Sequence, residues 1–351
     1  MNILVVGKFY TEGFATHIAE TFAVMGHSVT RFAPGFKQKQ AKSKFDFRFQ
    51  QLQSQLYQFY TYTARYTDKR LKQLKEMVQA GEVDLVLSCH DFLFPAEVTW
   101  LKQNTKAVVA MWFPDAMSNF GKAMFLNASY DFLFFKEPFA VNILKKEMGL
   151  NAYYLPECCN PEYHHKVQLS NDDVEKYACD ITTAGNLHTA RAALFNNLVE
   201  YNVKIWGNPP PRWMNTHLIE KMICNEFVSN EEKAKAFLGA KMVINNIHPT
   251  EYQGINARAF EIAGCGGFQL INGREVLPEL FLPGEELIVY DSVDGLKKLI
   301  ATYINEPAKR QRVAENGFKR AHLDHTYAIR LNLMLATIFG QAGGFKSALI
   351  K

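Results

Sequence analysis

Short apolar runs alternate with longer segments of helical spacing along most of this chain, and no other sequence feature narrows its fold as far. In the first half the runs are NILVVG (2–7), HSVTRFA (27–33), VDLVLS (83–88), KAVVAM (106–111) and DFLFF (131–135). In the second half they are CDITTAG (179–185), VKIWG (203–207), AKMVINN (240–246), FQLIN (268–272) and ELIVY (286–290). Such runs suit strands buried on both faces of a parallel sheet, and parallel strands need a helical crossover between them. TARAALFNNLVE and NEEKAKAFLG supply helices of that kind. A chain of 351 residues that is 48% hydrophobic can fill two cores. The expected class is therefore α/β, with two Rossmann-like doubly wound parallel sheets and a cleft between the domains.

The boundary falls in YYLPECCNPEYHHK (153–166), where Pro156 and Pro161 break the periodicity. The expected division is 1–157, 158–315 and a C-terminal segment 316–351. Its helix, from about Asn316 to Phe339, would return toward the first domain. Residues 37–80 form a Lys-, Gln- and aromatic-rich insertion in the first domain. Two readings of it stay open: a solvated helical insertion whose rings pack on the domain, or a basic amphipathic surface for an anionic acceptor or a membrane.

Composition excludes several classes. A net charge of +4 does not call for a nucleic-acid partner. Six cysteines, including the adjacent Cys158 and Cys159, have no metal-ligand spacing and suit a reducing compartment. MNILVVGKFY reads as a strand, not a signal peptide, and no apolar run approaches the roughly 20 residues of a membrane span. The expected location is the cytoplasm, with contact at the inner membrane face left open. Oligomeric state is not legible.

In open α/β sheets ligands bind beyond the carboxyl ends of the strands. In the second half that rule selects Gly185 and Asn186, then Gly207 and Asn208, then the stretch EYQGINARAFEIAGCGGFQL (251–270). Here a loop leads into a short helix near Asn256 that stops at the glycines. A helix N-terminus has unpaired N–H groups and a partial positive charge, so it can hold a phosphate. Asn256 is a good cap, Arg258 adds a full charge, and Glu261 could accept from ribose hydroxyls. The bland alternative is a surface pair between Arg258 and Glu261. In the first half, His17, His90 and Asp115 stand at strand ends as candidate bases. No G-x-G-x-x-G, Walker A, C-x-x-C or G-x-S-x-G motif is present.

From NEFVSNEEKAKAFLGAKMVINNIHPTEYQGINARAFEIAGCGGFQLIN to NEPAKRQRVAENGFKRAHLDHTYAIRL, the second half resembles the CgeB-like (spore maturation type) glycosyltransferases. These are a group-1, family-4-like branch with GT-B architecture. DITTAGNLHTARAALFNNL and FLPGEELIVYDSVDGLKKLI extend the likeness. The first half is similar only in its strand pattern and in LPECCNPEYH. The resemblance implies a nucleotide-sugar donor in the second domain, a glycan, lipid-linked or protein acceptor in the first, and no required metal or other cofactor. It implies donor-nucleotide contacts from Gly185, Asn186, Arg191, Gly207, Asn208, Phe227, Gly254, Ile255, Asn256 and Glu261. FEIAGCGGF is similar to the family's E-A-x-A-x-G-x-P-V region, which gives Glu261 the ribose-binding role. The family's second Glu lies eight residues earlier, a spacing that lands on Gln253, whereas Glu251 opens EYQG two residues further away. Arg191 or Arg258 would meet the diphosphate, and the motif leans toward a retaining outcome. Arg258, Glu251, Gln253, Asp115, His17 and His90 are thus the catalytic candidates. The alternatives are a catalytically silent nucleotide-binding scaffold and, further off, a nucleotide-sugar epimerase.

Overall fold

The structure, a computed structural model, describes residues 1–34, 44–79 and 81–340. The first residues of the expected insertion, its last residue and the tail after Gly340 lie outside the described residues. The chain divides into two compact units. Unit 1 holds Met1–Pro114, Phe120–Phe134 and Gly149–Tyr153, and unit 2 holds Asp115–Asn119, Phe135–Met148 and Tyr154–Lys351.

Unit 1 begins with β1 (Asn2–Val6), α1 (Phe14–Val24) and β2 (Ser28–Phe32). Two helices follow, α2 (Lys44–Tyr60) and α3 (Ala64–Gln79). Next come β3 (Leu85–Ser88), α4 (Pro95–Asn104), β4 (Val108–Phe113) and β5 (Phe132–Phe135). After α5 (Pro138–Lys146), which belongs to unit 2, β6 (Ala152–Tyr154) closes a sheet of order β2-β1-β3-β4-β5-β6. The pairings of β1 with β2 and β3, and of β3 with β4, are parallel. The five expected strands are present, and β6 is a sixth. Three residues are too few to show a period in sequence, so its pairing is a product of the sheet beside it.

Unit 2 continues with α6 (Asn171–Tyr177), β7 (Cys179–Ala184), α7 (Thr189–Phe195), β8 (Val203–Trp206), α8 (Asn230–Gly239) and β9 (Ala240–Asn245). Then follow α9 (Ala257–Cys265), β10 (Gln269–Asn272), α10 (Leu277–Leu280), β11 (Ile288–Tyr290) and α11 (Val293–Tyr303). The strand order is β11-β10-β9-β7-β8, and its pairings are parallel. Ile181, Met242, Ile244 and Leu270 are fully buried on one face, against Phe195 and Leu296. Each such side chain contributes about 1.5–3 kcal/mol through removal from water.

The chain ends in α12 (Pro307–Asp324) and α13 (Tyr327–Phe339). This corrects the expected single helix from about Asn316 to Phe339. Thr326 breaks it, because its hydroxyl caps the Ile329 N–H at 3.4 Å and starts a new helix. The break is tied to the segment after β6. The Cys159 N–H donates to the His325 carbonyl at 2.9 Å, and the Arg330 Nε donates to the Pro156 carbonyl at 3.1 Å. The last passage of the chain into unit 2 lies between Tyr153 and Tyr154, but 115–119 and 135–148 are also part of that unit. The single boundary read from the prolines did not anticipate those two earlier excursions.

Candidate active site

In the second sheet the order reverses between β7 and β9, whose carboxyl ends stand side by side. Such a switch point leaves a crevice that loops can line. A cavity of about 460 Å³ lies there, lined by side chains of unit 2 alone.

Gly185 follows β7 with φ of +116°, a conformation that side-chained residues rarely adopt. A Cβ there would fall 2.6 Å from Nη2 of Arg258 and 3.5 Å from Nη1 of Arg191, so the missing side chain lets both guanidiniums close on the turn. Arg191 is 1% exposed. Its Nε donates to Asn246 at 2.9 Å, and its Nη1 donates to the carbonyls of Gly185 and Asn186 at 3.0 and 2.8 Å. Burial and the Arg258 charge push its ionisation well below the usual arginine value. A guanidinium keeps its proton regardless, so an anion in the cavity would relieve that cost.

Arg258 sits one residue inside α9. The helix starts where Asn256 accepts from the Ala259 N–H at 3.3 Å, and it stops at Gly266 in the left-handed conformation. Phe260, Ile262 and Ala263 face the core, which leaves Arg258 and Glu261 to line the cavity. No hydrogen bond or ion pair joins the Arg258 guanidinium to any described residue. Burial lowers its ionisation, against the pull of Glu261, Glu251 and Glu157.

Three carboxylates surround one ammonium elsewhere on the wall. The Lys136 Nζ lies 3.0 Å from Glu251 Oε2 and 3.3 Å from Glu157 Oε2. Burial alone would lower the Lys136 ammonium, but Glu157, Glu251 and Asp115 hold it above its ordinary value. Burial pushes Glu157 up to about 7 against the opposing pull of Lys136, while Asp115 and Glu251 push it further. A buried pair of this kind is costly to break from one side only.

His188 caps α7 and accepts from the Arg191 N–H through Nδ1 at 3.2 Å, so the neutral ring carries its proton on Nε2. Burial, then Arg191, His248 and Arg258, lower it to about 4. Glu261 lies 3.4 Å from the Lys233 Nζ and 3.8 Å from the His164 Nε2. The cavity therefore has a basic region at Arg191 and Arg258, next to an acidic region at Asp115, Glu157 and Glu251. An anion suits the first, and a group rich in hydroxyl donors suits the second.

The glycosyl transferase-like family matches residues 188–336, which hold most of this wall. Spore protein CgeB from Bacillus subtilis is 25% identical over 191 residues, 50% of this chain and 57% of CgeB. Over that stretch the chain resembles CgeB, and its fold is the GT-B fold of glycosyltransferases. The match spans little more than half the length of that relative. Two solved structures show the same fold across both units. Anabaena HepE in complex with UDP-glucose has a TM-score of 0.64 at 12% identity, covering 97% of this chain and 100% of its own. Sucrose-phosphate synthase from Thermosynechococcus elongatus has a TM-score of 0.62 at 14% identity, with 97% and 100% covered.

The cavity gathers Asp115, Asn186, Arg191, Glu251, Asn256, Arg258 and Glu261 from the expected set. Gly185 and Gly207 shape its floor from behind, since the Gly185 carbonyl lies 2.7 Å from where a Gly207 Cβ would be. Several candidates do not line it. The Gln253 amide donates to Glu275 at 2.7 Å, Asn208 is exposed and donates to Asn186 at 3.0 Å, and Phe227 is 57% exposed. Gly254 and Ile255 are buried in the loop behind. His17 and His90 belong to unit 1. His17 is buried in α1, and His90, at φ of +115°, packs 4.2 Å from the Phe113 ring.

The anion reading of the EYQGIN loop also needs correction. Its backbone does hold anions, but they are carboxylates of this chain. Glu137 accepts from the N–H groups of Tyr252, Gln253 and Gly254 at 3.0, 2.8 and 3.1 Å. Glu157 accepts from Ala257 N–H, at the tip of α9, at 2.9 Å. Four of the N–H groups that a phosphate could have used are therefore occupied.

Lys136, Glu157, Asn246 and His248 were missing from the expected site. Lys136 directly follows the DFLFF run, so the strand-end rule applied to that strand would have found it. Glu157 sits in LPECCNP and offered no such signal. Among the described residues, no group of three or more His, Cys, Asp or Glu side chains is arranged to hold a metal ion. Nor is any described helix long and apolar enough to cross a membrane.

Proposed function

We propose that the chain is a glycosyltransferase that moves a sugar from a nucleotide-sugar donor to a glycan, lipid-linked or protein acceptor. One observation carries the reading: the Arg258 guanidinium, half-buried on the cavity wall, has no partner in the described protein. A donor diphosphate supplies the missing anion, and Glu261 is placed to receive ribose hydroxyls from the same helix. The sugar then lies toward Asp115, Glu157 and Glu251, whose oxygens accept from its hydroxyls. The UDP-glucose held by HepE makes a uridine donor the first to try.

In the transfer, the bond from the anomeric carbon to the diphosphate breaks, and its electron pair stays on the phosphate oxygen. The acceptor oxygen bonds to that carbon, and its proton passes to the departing phosphate, which retains the configuration. Arg258 and Arg191 stabilise the charge that grows on the leaving group, so the reading requires no metal. The reading places this action in the cytoplasm, where cysteines stay reduced.

The test is thermal unfolding with UDP, GDP, TDP, CDP and their sugar conjugates, followed by assay of nucleoside diphosphate release. One nucleotide should raise the midpoint, because a ligand of the folded state stabilises it. Its sugar conjugate should then be turned over. Binding without turnover would identify a silent scaffold, and no shift with any nucleotide would remove the donor reading altogether.

A further inference from the structure

A second surface lies outside the cavity. The outer side of α2 carries Phe49, Leu52, Leu56 and Phe59, which are 51, 53, 60 and 75% exposed. Spacings of three, four and three place them on one face of the helix. Tyr62, 74% exposed, extends the line past the helix end. Single exposed apolar residues are ordinary, but a continuous line of five marks a contact surface.

The flank of α2 next to this line is held in place. The Tyr57 hydroxyl donates to the Tyr66 hydroxyl at 3.0 Å, and the Tyr60 ring meets that of Tyr66 edge-on at 5.2 Å. On α3, Arg70 donates to both oxygens of the buried Glu97 carboxylate at 3.0 and 2.8 Å and to the Phe92 carbonyl at 2.7 Å. The apolar line is therefore displayed by an anchored helix pair.

Charge identifies the partner. Residues 44–79 contain seven basic residues against three acidic ones, Asp46, Asp68 and Glu76. That excess of four equals the formal charge of the whole chain, so the remainder sums to zero. Arg65, Lys69 and Lys72 are exposed on α3, and the Lys122 ammonium lies 3.8 Å from the Tyr62 ring centroid.

We propose that α2 and α3 dock on an anionic lipid bilayer. The Phe and Leu line of α2 enters the boundary between headgroups and acyl chains, and the exposed basic residues of α3 meet the phosphates. A second copy of the chain is the poorer occupant. Pairing this face with itself would bring together two helix pairs that each carry an excess of four positive charges, and Gln53 and Gln55 beside the line offer no complementary charge to steer it. This surface does not depend on the glycosyl-transfer reading.

The experiment is co-sedimentation of the full chain with phosphatidylcholine vesicles and with mixed phosphatidylglycerol–phosphatidylcholine vesicles. Binding should be roughly tenfold or more stronger to the mixed vesicles and should weaken with salt. The double variant Leu56→Glu/Phe59→Glu should lose roughly tenfold or more of that binding with an unchanged unfolding midpoint. Lys69→Glu/Lys72→Glu should lose the preference for anionic vesicles, which keeps the proposal testable if the first variant misfolds. Equal affinity for both vesicle types would overturn it, as would no binding to either. So would a dimer in sedimentation velocity that Leu56→Glu/Phe59→Glu dissociates.

Discussion

Arg191 and Arg258 meet the same glycine turn, yet they differ in what holds them. Arg191 is bound to the Gly185 and Asn186 carbonyls and to Asn246, which makes it a post for the β7 and β9 loops. Arg258 has no such ties, so its charge is available to a leaving group. Its contribution should be larger in the transition state than in the ground state. Arg258→Ala should lower kcat about a hundredfold or more, with a much smaller loss of donor affinity, and Arg258→Lys should recover part of it. Initial-rate kinetics on both variants would decide the matter. A change confined to KM would make Arg258 a uniform binder. Arg191→Ala should act differently. It removes the donor to the buried Asn246 side chain and to two part-buried carbonyls, at about 1–3 kcal/mol for a buried acceptor left unsatisfied, and should appear first as a lower unfolding midpoint.

Two elements turn these side chains into a site. The turn between β7 and α7 works only with a glycine, because a methyl group at residue 185 would displace Arg258 and strain a backbone at φ of +116°. Gly185→Ala should therefore weaken donor binding without touching a donor-facing side chain, measurable by calorimetry with the cognate nucleotide. An unchanged affinity would show that the turn tolerates the shift. The junction of α12 and α13 is the second element. There His325, 2% exposed, accepts from the Arg330 guanidinium through Nδ1 at 2.7 Å and meets the Leu280 carbonyl through Nε2. Burial, then the Arg330 charge, lower it to about 3. Because the folded value lies below the ordinary 6.5, the unfolded chain binds the proton first as pH falls. The stabilisation is complete above about 6.5 and disappears as pH drops toward about 3. Denaturant unfolding across that window should show the loss, and His325→Gln should flatten it. His188 adds the same sign down to about 4, so some slope will survive in the variant.

For the whole molecule, the chain enters the second unit three times, and the cavity uses all three passages. Asp115 arrives with 115–119, Lys136 with 135–148, and the remaining lining residues with the long final segment. Nucleotide binding should therefore protect stretches far apart in sequence. Hydrogen exchange should slow at Gly185–Arg191 and at Asn246–Glu261, while the edge strand β11 and helix α11 stay unchanged. Protection spread evenly over unit 2 would indicate global stabilisation in place of a local site.

Local signals in the chain settled the two strand series, the cap of α9 at Asn256, its stop at Gly266 and the span of α8. Each depends on periodicity or on side-chain chemistry within a few residues, which a sequence displays directly. Arg258 and Glu261 were legible for the same reason, since both ride on that helix. The β6 strand, the break at Thr326 and the acidic wall of the cavity were not. They depend on which distant segments meet: Glu157 reaches the cavity from the segment after β6, and Lys136 from the end of β5. The glycine loop shows the division most clearly. Its free N–H groups called for an anion, and the sequence displayed those donors. Only folding brought Glu137 and Glu157 onto them, because a buried donor takes whichever acceptor the packed chain places within about 3 Å.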